Sequence, residues 1–265
     1  VTDARRDALL VAGLVFAAAT ALVFLLARPA AGKDDKQVQG KELYATGCSS
    51  CHGADGKGVI TPDGQVRGPS LEHSGEAAAF YELSTGRMPL ADPHDIPAHK
   101  RAVYDDEQIA ALVAYVGAFG DGPKLPKVNV DNADLAAGGE VYRGNCAPCH
   151  SASGSGGALS YGRAAPALSD ATPEQVGAAV RSGPGQMPVF GSDQLSNKEL
   201  NNVAAYVQYL RHPEDPGGLA IGHIGPVPEG FVAWFFGVTA LLLVVAWIGT
   251  RSPFRRPGSA EEREE

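Results

Sequence analysis

Two uncharged runs of twenty residues, Ala8–Ala27 and Phe231–Thr250, bracket a long middle of mixed polarity. At 1.5 Å per residue each run reaches about 30 Å as a helix, enough to cross the hydrocarbon core of a bilayer. Within the middle, apolar positions recur at helical spacing. Ile109, Leu112, Tyr115 and Val116 form one set; Leu200, Val203, Tyr206 and Val207 form another. Both follow i, i+3, i+6, i+7, the pattern of one helix face. Acidic start signals precede them: Asp105-Asp106-Glu107 before the first, and Ser196 with Glu199 three residues on, a capping box, before the second.

The two sets are landmarks of a duplication. Gly40 and Tyr44 recur as Gly138 and Tyr142, 98 residues on, and Pro69-Ser70-Leu71 recurs as Pro166-Ala167-Leu168. The final helices are offset by only 91 residues, so the first copy carries about eight extra residues, placed in 91–104. Each copy is about 80 residues, small for a self-sufficient hydrophobic core. A large apolar cofactor would relieve that shortage.

The duplicated chemistry names the cofactor. Cys48-Ser49-Ser50-Cys51-His52 and Cys146-Ala147-Pro148-Cys149-His150 are both Cys-x-x-Cys-His, the attachment sequence of c-type haem. Each motif's two thiols add across the haem vinyl groups, and the following His reaches the iron. All four cysteines of the chain are used. Zinc ribbons place their Cys pairs about 15–20 residues apart, whereas 94 residues separate these; a thioredoxin-type pair needs no adjacent His. The reading is two covalently attached haem c groups, through Cys48, Cys51, Cys146 and Cys149.

Only two methionines occur, and both lie in a Gly-x-Met-Pro frame: Gly86-Arg87-Met88-Pro89 and Gly185-Gln186-Met187-Pro188. Met88 lies 36 residues after His52, and Met187 lies 37 after His150. Matched spacing in matched frames exceeds what core packing requires, and a thioether is a sixth ligand of c-type haem. The axial pairs are therefore His52 with Met88 and His150 with Met187. His94 and His99 follow Met88 closely and stand as alternative ligands. Six-coordinate His/Met iron leaves no open position, which points to an electron carrier with no catalytic residue of its own.

A formal net charge of −8 excludes nucleic acid as a natural partner. Charge also orients the spans. Arg251, Arg255 and Arg256 follow the second run, and no Lys or Arg occurs from His212 to Gly230. The C-terminus is then cytoplasmic. Two spans place the N-terminus inside as well and both haem domains outside the cell membrane, as c-type haem attachment requires. A cleaved signal peptide is the alternative for the first run, whose length exceeds the usual 7–15 apolar residues. Trp234 and Trp247 lie about 20 Å apart along a helix, near opposite interfaces. The expected divisions are an N-terminal transmembrane helix (1–30), a first haem domain (37–122), a second (133–212), a Gly/Pro connector (213–230), a C-terminal transmembrane helix (231–250) and a cytoplasmic tail (251–265). The segment 122–132, with two Pro and two Lys, reads as a linker permitting some motion.

Each copy resembles a small class I cytochrome c domain. The expected fold is mainly α: two tandem class I cytochrome c domains between two transmembrane helices. By that resemblance Tyr44 and Tyr142 sit where the first and last helices of a domain cross, and the carbonyls of Pro69 and Pro166 accept from the proximal His rings. The whole arrangement, with the segment Gly217–Gly230 leading into the final span, resembles the fused dihaem cytochrome c (cytochrome cc) subunit of the quinol–cytochrome c reductase of high-GC Gram-positive bacteria. That resemblance implies a subunit of a proton-translocating oxidoreductase. It would stand beside a b-type cytochrome and a Rieske iron–sulfur protein, take single electrons from the Rieske centre, and pass them to the copper centre of an attached haem–copper oxidase in a supercomplex. The competing readings are the cytochrome subunit of another oxidase or dehydrogenase, and a dihaem peroxidase, which would need one iron with an open or displaceable position.

Overall fold

The computed structural model describes residues 33–211, 213 and 226–251. The first apolar run, the tail beyond 251 and most of the connector lie outside the described residues. The chain divides into two compact units at Leu125/Pro126.

In unit 1, helix α1 (Lys33–Gly47) runs into a single turn, α2 (Ser49–His52), then a two-stranded antiparallel hairpin, β1 (Val59–Ile60) and β2 (Val66–Gly68), and helices α3 (Gly75–Ser84) and α4 (Asp106–Val116). Helix α1 packs across α4, and α3 packs beside α4. Unit 2 repeats the plan. Its elements are α5 (Leu135–Asn145), α6 (Ala147–His150), the hairpin β3 (Gly157–Ala158) and β4 (Ala164–Ala165), α7 (Pro173–Ser182) and α8 (Asn197–Arg211), with α5 across α8. A last helix, α9 (Pro226–Arg251), follows.

The start signals act as read. Asp105 accepts from Gln108 N–H, and the Gln108 side chain accepts from Asp105 N–H. Ser196 and Glu199 close the same reciprocal box on α8. The apolar face of α4 is buried at Ile109, Leu112 and Val116, and that of α8 at Leu200, Val203 and Val207. The short hairpins have no counterpart in the sequence reading, because strands of two or three residues show no alternation to detect.

Glycine makes the helix crossings possible. A Cβ on Gly40 would overlap the carbonyl oxygen of Ala111 and lie 2.7 Å from Tyr115 Cβ; one on Gly138 would overlap the carbonyl of Asn202. The two carbonyls are backbone and cannot swing away. Gly40→Ala gains about 1 kcal/mol of helix propensity but forces the helices apart, so we expect a net loss of about 1–3 kcal/mol, read as a lower denaturant midpoint for unit 1 alone.

At the same crossing the Tyr44 ring, 1% exposed, lies 5.4 Å from Tyr115 and 5.1 Å from Phe119. Its hydroxyl donates to the Gly53 carbonyl at 2.7 Å, and Tyr142 donates likewise to Ser151 at 2.8 Å. Burial, with smaller contributions from Cys48, Tyr115 and Asp55, pushes the Tyr44 hydroxyl up from 10.0 to about 12. The unfolded chain releases this proton first. Stability is therefore complete below pH 10 and falls as pH rises toward 12. Tyr44→Phe should cost about 1 kcal/mol at neutral pH and flatten that alkaline loss, measured by denaturant unfolding across the range.

Both halves of the segment 122–132 make contacts within their own unit. Ala77 N–H donates to Pro123 O, while Lys124 Nζ and Leu125 N–H bond the Glu76 carboxylate at 3.1 and 3.3 Å. Further on, Asn129 N–H donates to Asn201 Oδ1 and Val128 packs against the core of unit 2.

Helix α9 contains the second apolar run: Val227–Thr250, 24 residues, is long and apolar enough to cross a membrane by length and composition. It begins at Pro226, inside the expected connector. Proline suits a first turn, where its missing N–H leaves no bond unmade, and Glu229 there faces the positive end of the helix dipole.

Candidate haem sites

The spacing of Cys-x-x-Cys-His has a local cause. Residues i, i+3 and i+4 lie on one side of a helical turn. Cys51 N–H and His52 N–H both donate to Cys48 O, at 3.1 and 3.0 Å, and Cys149 and His150 do the same to Cys146 O, at 3.1 and 2.9 Å. The turn brings two thiols and one imidazole to a single face in each unit.

The chain then folds back over the turn. Gly58 N–H reaches His52 O, Leu71 N–H reaches Gly56 O, and Gly156 and Leu168 repeat these bonds to His150 and Gly154 in unit 2. A Cβ on Gly68 would overlap the Cys51 carbonyl, which shows how closely the returning backbone lies on α2. The return sets Pro69 O 2.8 Å from His52 Nδ1 and Pro166 O 2.9 Å from His150 Nδ1. A carbonyl can only accept, so Nδ1 carries the proton in both rings. Nε2 is left with its lone pair, the form in which imidazole binds a metal.

Met88 and Cys48 pack against one apolar cluster containing Tyr44, Leu83, Ile109 and Leu112. Met187 and Cys146 pack against the other, with Tyr142, Val180, Leu200 and Val203. In each unit the first thiol of the motif and the thioether thus share one apolar cluster, and the imidazole stands on the same turn as that thiol. That donor set fits c-type haem: two thiols to anchor it, an imidazole and a thioether to ligate the iron, and hydrocarbon to cover it.

Burial, with the neighbouring Cys adding to it, pushes the Cys48 and Cys146 thiols up to about 11. A redox-active Cys pair instead has a depressed thiol pKa. Among the described residues no group of three or more His, Cys, Asp or Glu is placed to hold a metal ion. Both ring nitrogens of His94 are engaged elsewhere, Nδ1 with Asp92 at 2.9 Å and Nε2 with Gln65 at 3.1 Å. His99 lies in the exposed stretch 91–101.

Two residues near the sites escaped the sequence reading. Glu82 and Arg181 each stand six residues before a methionine, the same place in the repeat with opposite charge. Glu82 Oε2 is buried without a hydrogen-bond partner among the described residues; burial raises its carboxyl pKa, and Arg87 opposes the rise. Arg181 is 8% exposed and makes three hydrogen bonds within its own unit. Aligning the repeats around Met88 and Met187 would have exposed the charge reversal.

Residues 37–118 match the cytochrome c family, and residues 133–207 match the family described as cytochrome c oxidase, cbb3-type, subunit III. The chain is a mainly helical protein with two cytochrome c domains. Its similarity extends well beyond single domains. The cytochrome bc1 complex cytochrome c subunit of Mycobacterium tuberculosis (strain ATCC 25618 / H37Rv) is 42% identical over 222 residues, covering 80% of this chain and 77% of that protein. The protein of the same name from Corynebacterium diphtheriae is 36% identical over 246 residues, 85% of this chain and 86% of that one. Cytochrome c6 of Leptolyngbya boryana, at 40% over 78 residues, covers 28% of this chain and 91% of its own length. The chain belongs to the family of cytochrome c subunits of the cytochrome bc1 complex, electron-transfer proteins of a respiratory oxidoreductase.

Proposed function

We propose that the chain carries two haem c groups and relays single electrons within a quinol–cytochrome c reductase. Cys48 and Cys51 anchor one haem and Cys146 and Cys149 the other; His52 with Met88 and His150 with Met187 are the axial ligands. The observation that carries this reading is the repeat, in each unit, of a Cys and a Met on one apolar cluster beside a turn whose His is held in the Nδ1-protonated form. Bound there, haem c supplies a one-electron ferric/ferrous couple, and a thioether ligand favours the ferrous state and a high potential. The residues do the rest. The Pro69 and Pro166 carbonyls hold each imidazole's plane and tautomer, and the apolar clusters keep water from the axial positions.

Membership of the bc1 cytochrome c subunit family supports the following partners. The electron donor is a Rieske iron–sulfur subunit beside a b-type cytochrome, and the acceptor is the copper centre of a haem–copper oxidase. The chain is anchored in the cell membrane by two spans, α9 and the run Ala8–Ala27, with haem domains outside and both termini inside. Purification of this chain from native membranes in mild detergent tests the reading. The expected result is two covalent haems per chain, co-purifying with a b-type cytochrome and a Rieske protein. Recovery with a dehydrogenase, or with an oxidase and no Rieske protein, would keep the haem sites and remove the assigned place in the respiratory chain.

A further inference from the structure

We propose that Arg181 is a positioning residue for the second haem: its guanidinium clamps the loop that presents Met187, whereas Glu82 stands at the corresponding place in the first domain. The inference rests on the assignment of Met187 as an axial ligand.

The loop runs from Gly183 to Ser196, between α7 and α8, without regular secondary structure. Its backbone forms short-range bonds, Met187 N–H to Pro184 O at 3.0 Å and Gln194 and Leu195 N–H to Gly191 O at 3.2 and 2.9 Å, and one bond back to α7, Phe190 N–H to Val180 O at 2.9 Å. Arg181 adds side-chain bonds from α7 to the far end of the loop. Nη1 donates to Phe190 O at 2.9 Å and to Leu195 O at 2.8 Å, and Nη2 donates to Asn197 Oδ1 at 2.9 Å. These acceptors lie three, eight and ten residues after Met187. One rigid planar fork therefore ties the loop's descending limb and the start of α8 to α7. A lysine ammonium at the end of a flexible stem cannot reproduce that geometry.

The first domain solves the same problem differently. Glu82 occupies the corresponding place and forms no such bridge. Met88 N–H donates directly to Glu82 O at 3.1 Å, and Lys100 N–H donates to Thr85 O at 3.1 Å, so the inserted stretch braces the loop through backbone bonds. Removing the guanidinium should therefore loosen Met187 and leave Met88 in place.

The test uses the full chain in its membrane complex, as wild type, Arg181→Gln and Arg181→Lys. The readouts are the weak absorption band of methionine bonded to ferric iron, carbon monoxide uptake after reduction, and the midpoint potential of each haem. Wild type should show the band for both haems and take up no carbon monoxide at its c-type haems. Both variants should lose half the band, bind one carbon monoxide per chain beyond the wild-type uptake, at a c-type haem, and show a lowered potential for one haem only. Arg181→Lys keeps the charge and most of the stem's packing, so it provides the reading if Arg181→Gln does not accumulate. A full band in both variants, or loss from both haems, overturns the clamp. A full band in Arg181→Lys with loss in Arg181→Gln overturns the fork geometry in favour of charge alone. A wild-type chain without the band for both haems overturns the ligand assignment, and the clamp with it.

Discussion

Replacing Cys146 and Cys149 together by Ser is expected to halve the covalent haem content, from two per chain to one, and to unfold the second domain while the first keeps its spectrum. Both halves of this result follow from how small the cores are. The second domain's buried cluster comprises Tyr142, Val180, Leu195, Leu200, Val203 and Val207, six side chains for about 80 residues. Burying such side chains contributes about 1.5–3 kcal/mol each, while ordering each residue's backbone costs about 1–2 kcal/mol. A cofactor that binds only the folded domain shifts that balance, and a covalent one cannot dissociate as the balance turns. The first domain has its own cluster around Tyr44 and Leu112 and its own thiols, so the damage stays local. Haem per chain after acid extraction measures the first half, and loss of helical circular dichroism the second. Two haems retained, or none, would refute the assignment of one haem to each motif.

Met88→Ala is expected to turn a chain that binds no carbon monoxide when reduced into one that binds a single molecule, with a lowered midpoint potential for the same haem. The thioether is the soft ligand that favours ferrous iron; without it the sixth position opens and the ferrous preference falls. Alanine leaves a cavity in the wall formed by Leu83, Ile109 and Leu112, against which Met88 packs, and the cavity admits a small diatomic ligand. Met187→Ala should do the same at the other haem, and the double variant should bind two. Carbon monoxide binding by the unaltered chain would favour the peroxidase reading.

The legibility of this protein divides along the range of its interactions. The haem motif was readable because its geometry is contiguous: one helical turn places Cys48, Cys51 and His52 on one face without help from the rest of the chain. The capping boxes at Asp105 and Ser196 are local for the same reason, spanning three residues. The methionines lie far from their histidines, yet duplication made them legible, since two copies in matched frames expose a pattern that one would hide. The second apolar run was readable from composition alone, but its boundary was not, because Pro226 and Pro228 look like helix breakers until they prove to stand in a first turn.

Sequence by itself thus determined the duplication, the four thiols, the two matched Gly-x-Met-Pro frames and the long apolar helix, all of which depend on residue type and spacing. Tertiary structure alone decided what surrounds them. Only the returning loop brings Pro69 O to His52, 17 residues away; only the helix crossing buries Tyr44 and gives its hydroxyl Gly53 O; only packing ties the two halves of 122–132 to separate units. The opposite charges of Glu82 and Arg181 belong to the same class. A single charged residue on a helix looks solvated in sequence, and its meaning comes from the acceptors that folding places around it, which for Arg181 are two carbonyls and a side-chain amide lying 9 to 16 residues along the chain.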